Sequence, residues 1–402
     1  MSTARTTPSN VLVQTIPRLI AAGELTAPCG VLDVAAFDHN ARRMRARTLG
    51  LPIRVASKSL RSTDALRRAL GHEGYRGVLS YSAPEAILLV GEGFSDILVA
   101  YPSVNTPAIA RIAGDERLRT EITLMVDSTD HLDLIGSVAD ASAPVRVAID
   151  IDCSLHLPGA VIGSRRSPIR TPEQTRALAL EIARRPQLRL VGVMGYEGQV
   201  ASVADGESGV VGAAKRLIRR RSMKQLTPRR SECVAAAREV ADLEFVNGGG
   251  TGSLDVSARD DSLTELAAGS GFYTPVIFDQ FTDIDHVPAA FFVCQVSRVP
   301  APGWATVNSG GWIASGPPAP DRVPSPVYPP GLSYSPMEGA GEVQTPLKLP
   351  SGAPQLKVED LVWFRHAKAG EMTEHVDSLV AVHADGSHER WDTYRGKGWT
   401  LR

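Results

Sequence analysis

Eight short apolar runs, most of them followed by a helix-like stretch, constrain the fold of this 402-residue chain more than any other feature. They are Ile53–Lys58, Gly77–Tyr81, Asp96–Tyr101, Glu121–Asp127, Val145–Asp152, Leu190–Gly198, Glu244–Gly248 and Thr264–Gly269. Several are nearly continuous in Val, Ile and Leu, as parallel strands buried on both faces require. Helix signals lie between them. Ser62-Thr63-Asp64 caps a stretch carrying Leu66, Ala69 and Leu70, which Gly71 can end. Ala83-Pro84-Glu85 and Thr171-Pro172-Glu173 open two more, with Pro in the first turn. Eight alternations predict an α/β chain built on a closed (β/α)8 barrel; a doubly wound open sheet is the alternative.

After about Asp285 the pattern changes. Phe291–Val299, Val358–Arg365 and Leu379–Val382 read as strands, separated by Pro- and Gly-rich turns from Pro300 to Pro354. The expected division is a barrel over residues 26–284 and a β-rich second domain of residues 1–25 and 285–402.

The net charge is −1 and no block of one sign is sustained, which argues against a nucleic-acid partner. The basic stretch Lys215–Arg230 reads as a solvated amphipathic helix, because no aromatic residues interleave it. The four cysteines form no C-x-x-C pair, so neither a disulfide framework nor a zinc cluster is expected. No secretory leader pattern and no membrane-length apolar run is present. A cytoplasmic location follows as the expectation.

The chain has seven lysines, and Lys58 closes the first run. In a (β/α)8 barrel, chemistry takes place where the strands end. A lysine desolvated there becomes a neutral amine able to form an imine; the plainer alternative is a lysine that snorkels to water. After the seventh run comes Asn247-Gly248-Gly249-Gly250-Thr251-Gly252-Ser253. Its glycines let N–H groups converge on an anion, and Thr251 and Ser253 add hydroxyls. Gly195-Tyr196-Glu197-Gly198 ends the sixth run, where the phenol or the carboxylate could hydrogen-bond a ring nitrogen or a substrate. Arg165 and Arg166 follow the fifth run; one could bind a substrate carboxylate, or both lie on the surface. An amine, an anion cradle and a polar aromatic at one barrel face are the set that a phosphate-bearing aldehyde cofactor needs.

These segments resemble the D-threonine aldolase and D-serine dehydratase family, the pyridoxal 5'-phosphate (PLP) enzymes built on the alanine racemase barrel. The chain is similar to an "amino acid deaminase/aldolase" member. Val55-Ala56-Ser57-Lys58-Ser59 resembles the cofactor-lysine segment, Gly192–Gly198 the sixth-strand motif and Asn247–Gly252 the phosphate loop. Ala268-Gly269-Ser270-Gly271-Phe272-Tyr273 resembles the segment after the eighth strand, which implies that Tyr273 borders the phosphate. The resemblance implies a (β/α)8 barrel of alanine-racemase type plus a C-terminal mostly-β domain, a homodimer and an amino acid substrate. It also implies a divalent metal held by a His-x-Cys or His-x-Asp pair.

The matching stretch here is Arg365-His366-Ala367-Lys368-Ala369-Gly370-Glu371. His366 suits the first metal ligand, whereas Lys368 stands at the second, and a protonated amine cannot ligate. Either the Lys368 charge replaces the metal, or Glu371, His375 or Asp377 completes the site. Glu338 and Glu342 lie in a segment similar to the family's acidic one. The expected reaction is that of a lyase acting on a β-hydroxy D-amino acid. It would cleave Cα–Cβ to glycine and an aldehyde, or eliminate the hydroxyl to give a keto acid and ammonia. The catalytic residues expected are Lys58, Tyr196, His366 and Lys368. Amino acid racemisation, PLP transaldol chemistry and non-catalytic PLP binding are the alternatives.

Overall fold

A computed structural model describes residues 7–401. Residues 1–6 of the expected second domain lie outside the described residues. The chain forms two compact units, one containing residues up to 43, 59–67 and 270–400, the other 44–58 and 68–269.

In the second of these units, eight strands close a parallel barrel: Ile53–Ala56, Tyr75–Ser80, Ile97–Val99, Ile122–Val126, Val145–Asp150, Leu188–Gly195, Phe245–Gly248 and Glu265–Ala268. Each expected run overlaps one of them, and the eight close on themselves, so the closed barrel holds and the open sheet does not. Leu98, Ala100, Met125, Ala148, Val191, Met194 and Phe245 form a buried cluster of the barrel. Phe245 pairs in register with Gly192, and a Cβ on that glycine would stand 2.4 Å from the phenyl ring. A glycine is therefore needed for the large ring to fit.

The N-terminal ends of the strands are tied by charge. Arg54 Nε lies 2.6 Å from Glu265 Oε1, and Arg54 Nη1 lies 2.9 Å from Asp96 Oδ1. Asn247 donates to the same Glu265 oxygen at 2.8 Å. A guanidinium buried to this extent is tolerated because its hydrogen bonds are met by carboxylates. On the barrel's outside, Thr171 and Gln174 form a reciprocal capping box that starts the helix Pro172–Ala183.

The basic stretch lies in a 30-residue helix, Gly209–Arg238, but it is not wholly solvated. Arg219 and Arg230 are buried. Arg219 pairs with Asp205 at 3.1 Å, and Arg230 pairs with Glu197 at 3.1 Å and with Asp260 at 3.5 Å. Sequence composition could not separate these two cations from their exposed neighbours, because their partners lie far along the chain.

The other unit is built on a mixed sheet. Cys29–Asp33 runs antiparallel to Ala290–Arg298 and parallel to Ser378–Val382. Ala290–Arg298 also pairs with Leu361–Arg365. Leu12 and Ile16 of the helix Asn10–Ala21 pack with Val31, Phe291, Val293 and Trp363. Residues 26–43 and 270–284 thus fall in this unit rather than with the barrel strands. Five consecutive buried residues at Cys29–Asp33 do not announce which sheet they will join. Among the described residues, no helix is long and apolar enough to cross a membrane, and the four cysteines are free and buried.

Candidate active site

The first strand hands over to a single 3-10 turn, Ser57–Ser59, which carries Lys58. The Ser57 hydroxyl donates to the Leu79 carbonyl at 3.1 Å, pinning that turn to the second strand. Lys58 Nζ then lies 3.2 Å from the Tyr101 hydroxyl. Tyr101 stands two residues beyond the third strand and was not singled out from sequence. Its signal was the placement of a polar aromatic at a strand end, the same signal that marked Tyr196.

Arg166, from the connection after the fifth strand, lies across both tyrosines. Its guanidinium carbon is 5.3 Å from the Tyr101 ring centre and 5.5 Å from that of Tyr196. These are cation–π distances. Of the two arginines weighed from sequence, Arg166 is therefore the one that reaches the barrel mouth. Arg165 is exposed. The Tyr196 hydroxyl is shared with Ser202 at 2.8 Å, and burial raises its pKa.

A small pocket opens here, lined by Ala100, Asp150, Arg166, Ser167, Met194 and Tyr196 among others. Asp150 ends the fifth strand. Burial, helped by Asp127 and despite Arg166, pushes its carboxyl up to about 7. An unfolded Asp ionises near 3.9. Between roughly pH 4 and pH 7 the native chain keeps a proton that the unfolded chain has lost. This group therefore lowers stability as pH rises through that window. Asp150→Asn is expected to remove that pH dependence and to gain on the wild type as pH rises. Urea denaturation below and above the window checks this; parallel pH profiles would refute it.

The glycine loop after the seventh strand is held from beneath. Glu197 is fully buried and accepts from the Gly249 N–H at 3.2 Å and from the hydroxyls of Ser253 and Ser257. Its other partner is Arg230. Arg219 Nη2 donates to the Gly252 carbonyl at 3.1 Å, and Arg47 Nη1 to the Thr251 carbonyl at 2.8 Å. Gly249 has φ +83°, which glycine adopts without strain. A Cβ on Gly250 would meet Ala201 at 2.8 Å and the Tyr196 ring at 3.3 Å. Backbone alone therefore lines this side of the mouth.

These contacts revise two sequence expectations. Glu197 faces the loop and Arg230 rather than offering a free carboxylate at the mouth. The Asn247 amide is committed to Glu265, and within the loop the Gly249 N–H is taken by Glu197 and the Gly250 N–H by the Ser253 hydroxyl at 3.1 Å. Sequence gave no sign of Arg230, whose role depends on a long-range pairing.

The remaining candidates lie in the unit with the mixed sheet. The Tyr273 hydroxyl donates to the Leu60 carbonyl at 3.1 Å. His366 is fully buried and stands edge-on to the Tyr273 ring at 6.3 Å. Burial, with Arg365 adding to it, lowers the His366 pKa to about 3. Lys368 Nζ donates to the Ser315 carbonyl at 2.6 Å. The Glu371 carboxylate accepts from Ser315, the His375 ring stacks on Trp312 at 4.8 Å, and Asp377 pairs with Arg395. Glu338 and Glu342 are exposed. Among the described residues, no group of three or more His, Cys, Asp or Glu side chains gathers as a metal site would require. A divalent ion on His366 would lack the second ligand of the implied pair, because Lys368 is an amine held on the Ser315 carbonyl.

A closed parallel barrel with Lys58, Tyr196 and the glycine loop at the C-terminal ends of its strands is the alanine racemase fold. The chain belongs to the family described as alanine racemase, N-terminal domain, which it matches over residues 32–237. It is 28% identical over 301 residues to a 3-hydroxy-D-aspartate aldolase of Paracoccus denitrificans, covering 71% of this chain and 72% of that one. A D-threonine aldolase of Arthrobacter sp is 26% identical over 293 residues, covering 70% and 71%. The crystal structure of D-threonine aldolase from Filomicrobium marinum superimposes with a TM-score of 0.77 at 20% identity, covering 94% of this chain and 97% of that one.

Proposed function

We propose that this chain is a PLP-dependent lyase that cleaves a β-hydroxy D-amino acid between Cα and Cβ, giving glycine and an aldehyde. The observation that carries this reading is Lys58, an amine at the end of the first barrel strand, sharing a mouth with Tyr196 and a glycine loop. The group fits these residues: Lys58 can anchor its aldehyde, and the glycine loop, where a Cβ on Gly250 would meet Ala201 and Tyr196, can bring bare backbone close to its phosphate. Bound there, PLP would act as an electron sink for a bond breaking at the amino acid α-carbon.

The chain's own residues do the rest. Tyr196 presents its ring face to Arg166, whose cation suits a carboxylate. Glu197 and Arg230 hold the loop rigid, so little order has to be created on binding. With substrate bound, the Lys58 amine would be the group placed to return a proton to the α-carbon. The D configuration and the β-hydroxyl come from the substrates named for the relatives.

The test uses the full chain supplied with PLP and offered D-threonine, 3-hydroxy-D-aspartate, D-serine and their L forms. Glycine and an aldehyde, from D substrates only, are expected. Keto acid and ammonia would identify the eliminating reaction instead. Inversion without cleavage would identify a racemase, and PLP binding without turnover would remove the enzyme reading.

A further inference from the structure

Lys58 does not stand alone at the barrel mouth. The Tyr101 hydroxyl lies 3.2 Å from its Nζ. Tyr196, the other tyrosine at the mouth, has its hydroxyl engaged with Ser202 at 2.8 Å. Arg166 lies across the Tyr101 ring at 5.3 Å. The phenol is thus set between two cations that enter from different connections, one after the first strand and one after the fifth.

We propose that Tyr101 is the general acid and base of imine formation and exchange at Lys58. The proposal rests on the reading of Lys58 as the cofactor anchor. When the lysine nitrogen adds to a carbonyl carbon, a C–N bond forms and the carbonyl oxygen becomes a hydroxyl. For the C–N double bond to follow, the C–O bond must break and the oxygen must leave as water. Tyr101 gives its proton to that oxygen, and the nitrogen lone pair closes the double bond. The phenolate then takes the proton the nitrogen sheds, which restores the phenol. No proton or electron is left over. In the reverse direction the same group activates the attacking water or amine.

The surroundings suit a group that must both give and take a proton. Burial opposes ionisation of Tyr101, but Lys58 and Arg166 outweigh it and hold the phenol below the ordinary tyrosine range. Those two cations are the charges that act on it most strongly. A phenol acting as an acid must be protonated, so imine formation should slow as pH rises through the Tyr101 ionisation.

The experiment mixes full-length wild type or Tyr101→Phe, freed of cofactor, with PLP. The rise of imine absorbance is followed by stopped flow across a range of pH. Tyr101→Phe is expected to reach the wild-type final absorbance about 100-fold more slowly at neutral pH. It is also expected to lack the alkaline fall in rate that the wild type shows. An ultraviolet titration should reveal one early-ionising tyrosine in wild type and none in the variant. Equal rates would overturn the proposal. So would a slowing by the same factor at every pH with the alkaline fall retained, since that is the mark of a purely structural role. If wild type itself forms no imine, the anchor reading of Lys58 fails and the role of Tyr101 falls with it. Normal imine formation in both proteins refutes Tyr101 alone.

Discussion

Lys58→Ala is expected to abolish the imine absorbance of the PLP-supplied chain and to cut turnover by about 10⁴–10⁶-fold, the scale on which enzymes lose activity with their covalent group. The fold should be indifferent. Lys58 sits exposed on a one-turn 3-10 element, and its side chain contributes nothing to the buried barrel cluster. Its removal should change stability by no more than about 0.5 kcal/mol, as for most surface substitutions. A spectrum and a urea titration on the same preparation separate the two effects. An imine band that survives in the variant would place the anchor on another of the seven lysines and remove the basis of the assignment.

Arg230→Met is expected to act in the opposite way, through stability and cofactor retention rather than through chemistry. The guanidinium is fully buried and faces two carboxylates, Glu197 and Asp260, that are themselves buried. Methionine fills most of the volume but leaves both carboxylates without their cation. Breaking a buried ion pair from one side costs about 3–5 kcal/mol. Because Glu197 also holds the Gly249 N–H and the Ser253 and Ser257 hydroxyls, the loop should loosen with it. PLP should then dissociate faster, while the imine that does form absorbs normally. Glu197→Gln is expected to be milder, since an amide still accepts one hydrogen bond from the loop and leaves Arg230 with Asp260. Denaturation midpoints and PLP release rates measure both. Wild-type stability in Arg230→Met would show that the triad does not brace the loop.

The two variants mark where sequence could and could not be read. Lys58, Tyr196 and the glycine loop were legible because each follows an apolar run, and a barrel brings all its strand ends to one face. That inference needs only local pattern plus one rule of topology. Tyr101 carried the same local signal, a polar aromatic just past the third strand, but nothing nearby distinguished it from a packing residue. Its importance comes from a 3.2 Å contact with a side chain 43 residues earlier.

Arg230 and Arg219 were misjudged for a related reason. Eight basic residues between 215 and 230 look alike in a string, and the absence of interleaved aromatics assigned them to a solvated face. Arg230 meets Glu197 across 33 residues and Asp260 across 30, and such pairings have no sequence period. Glu197 was seen at the barrel mouth but given an open task, whereas Arg230 draws its carboxylate inward. Cys29–Asp33 shows the same limit for backbone. A short buried strand does not reveal its neighbours, and this one pairs with residues about 260 and 350 positions later.

By itself, then, the sequence determined the eight-fold alternation, favoured the closed barrel over an open sheet, and marked the strand ends that bear chemistry and the lysine to examine. Those follow from periodicity and chain connectivity, which are properties of neighbours along the chain. The tertiary structure alone decided which charges lie buried together, which tyrosine touches Lys58 and which carboxylate holds the glycine loop. Coulombic and hydrogen-bond partners act over a few ångströms in space. Only the folded path of the chain determines which residues come that close.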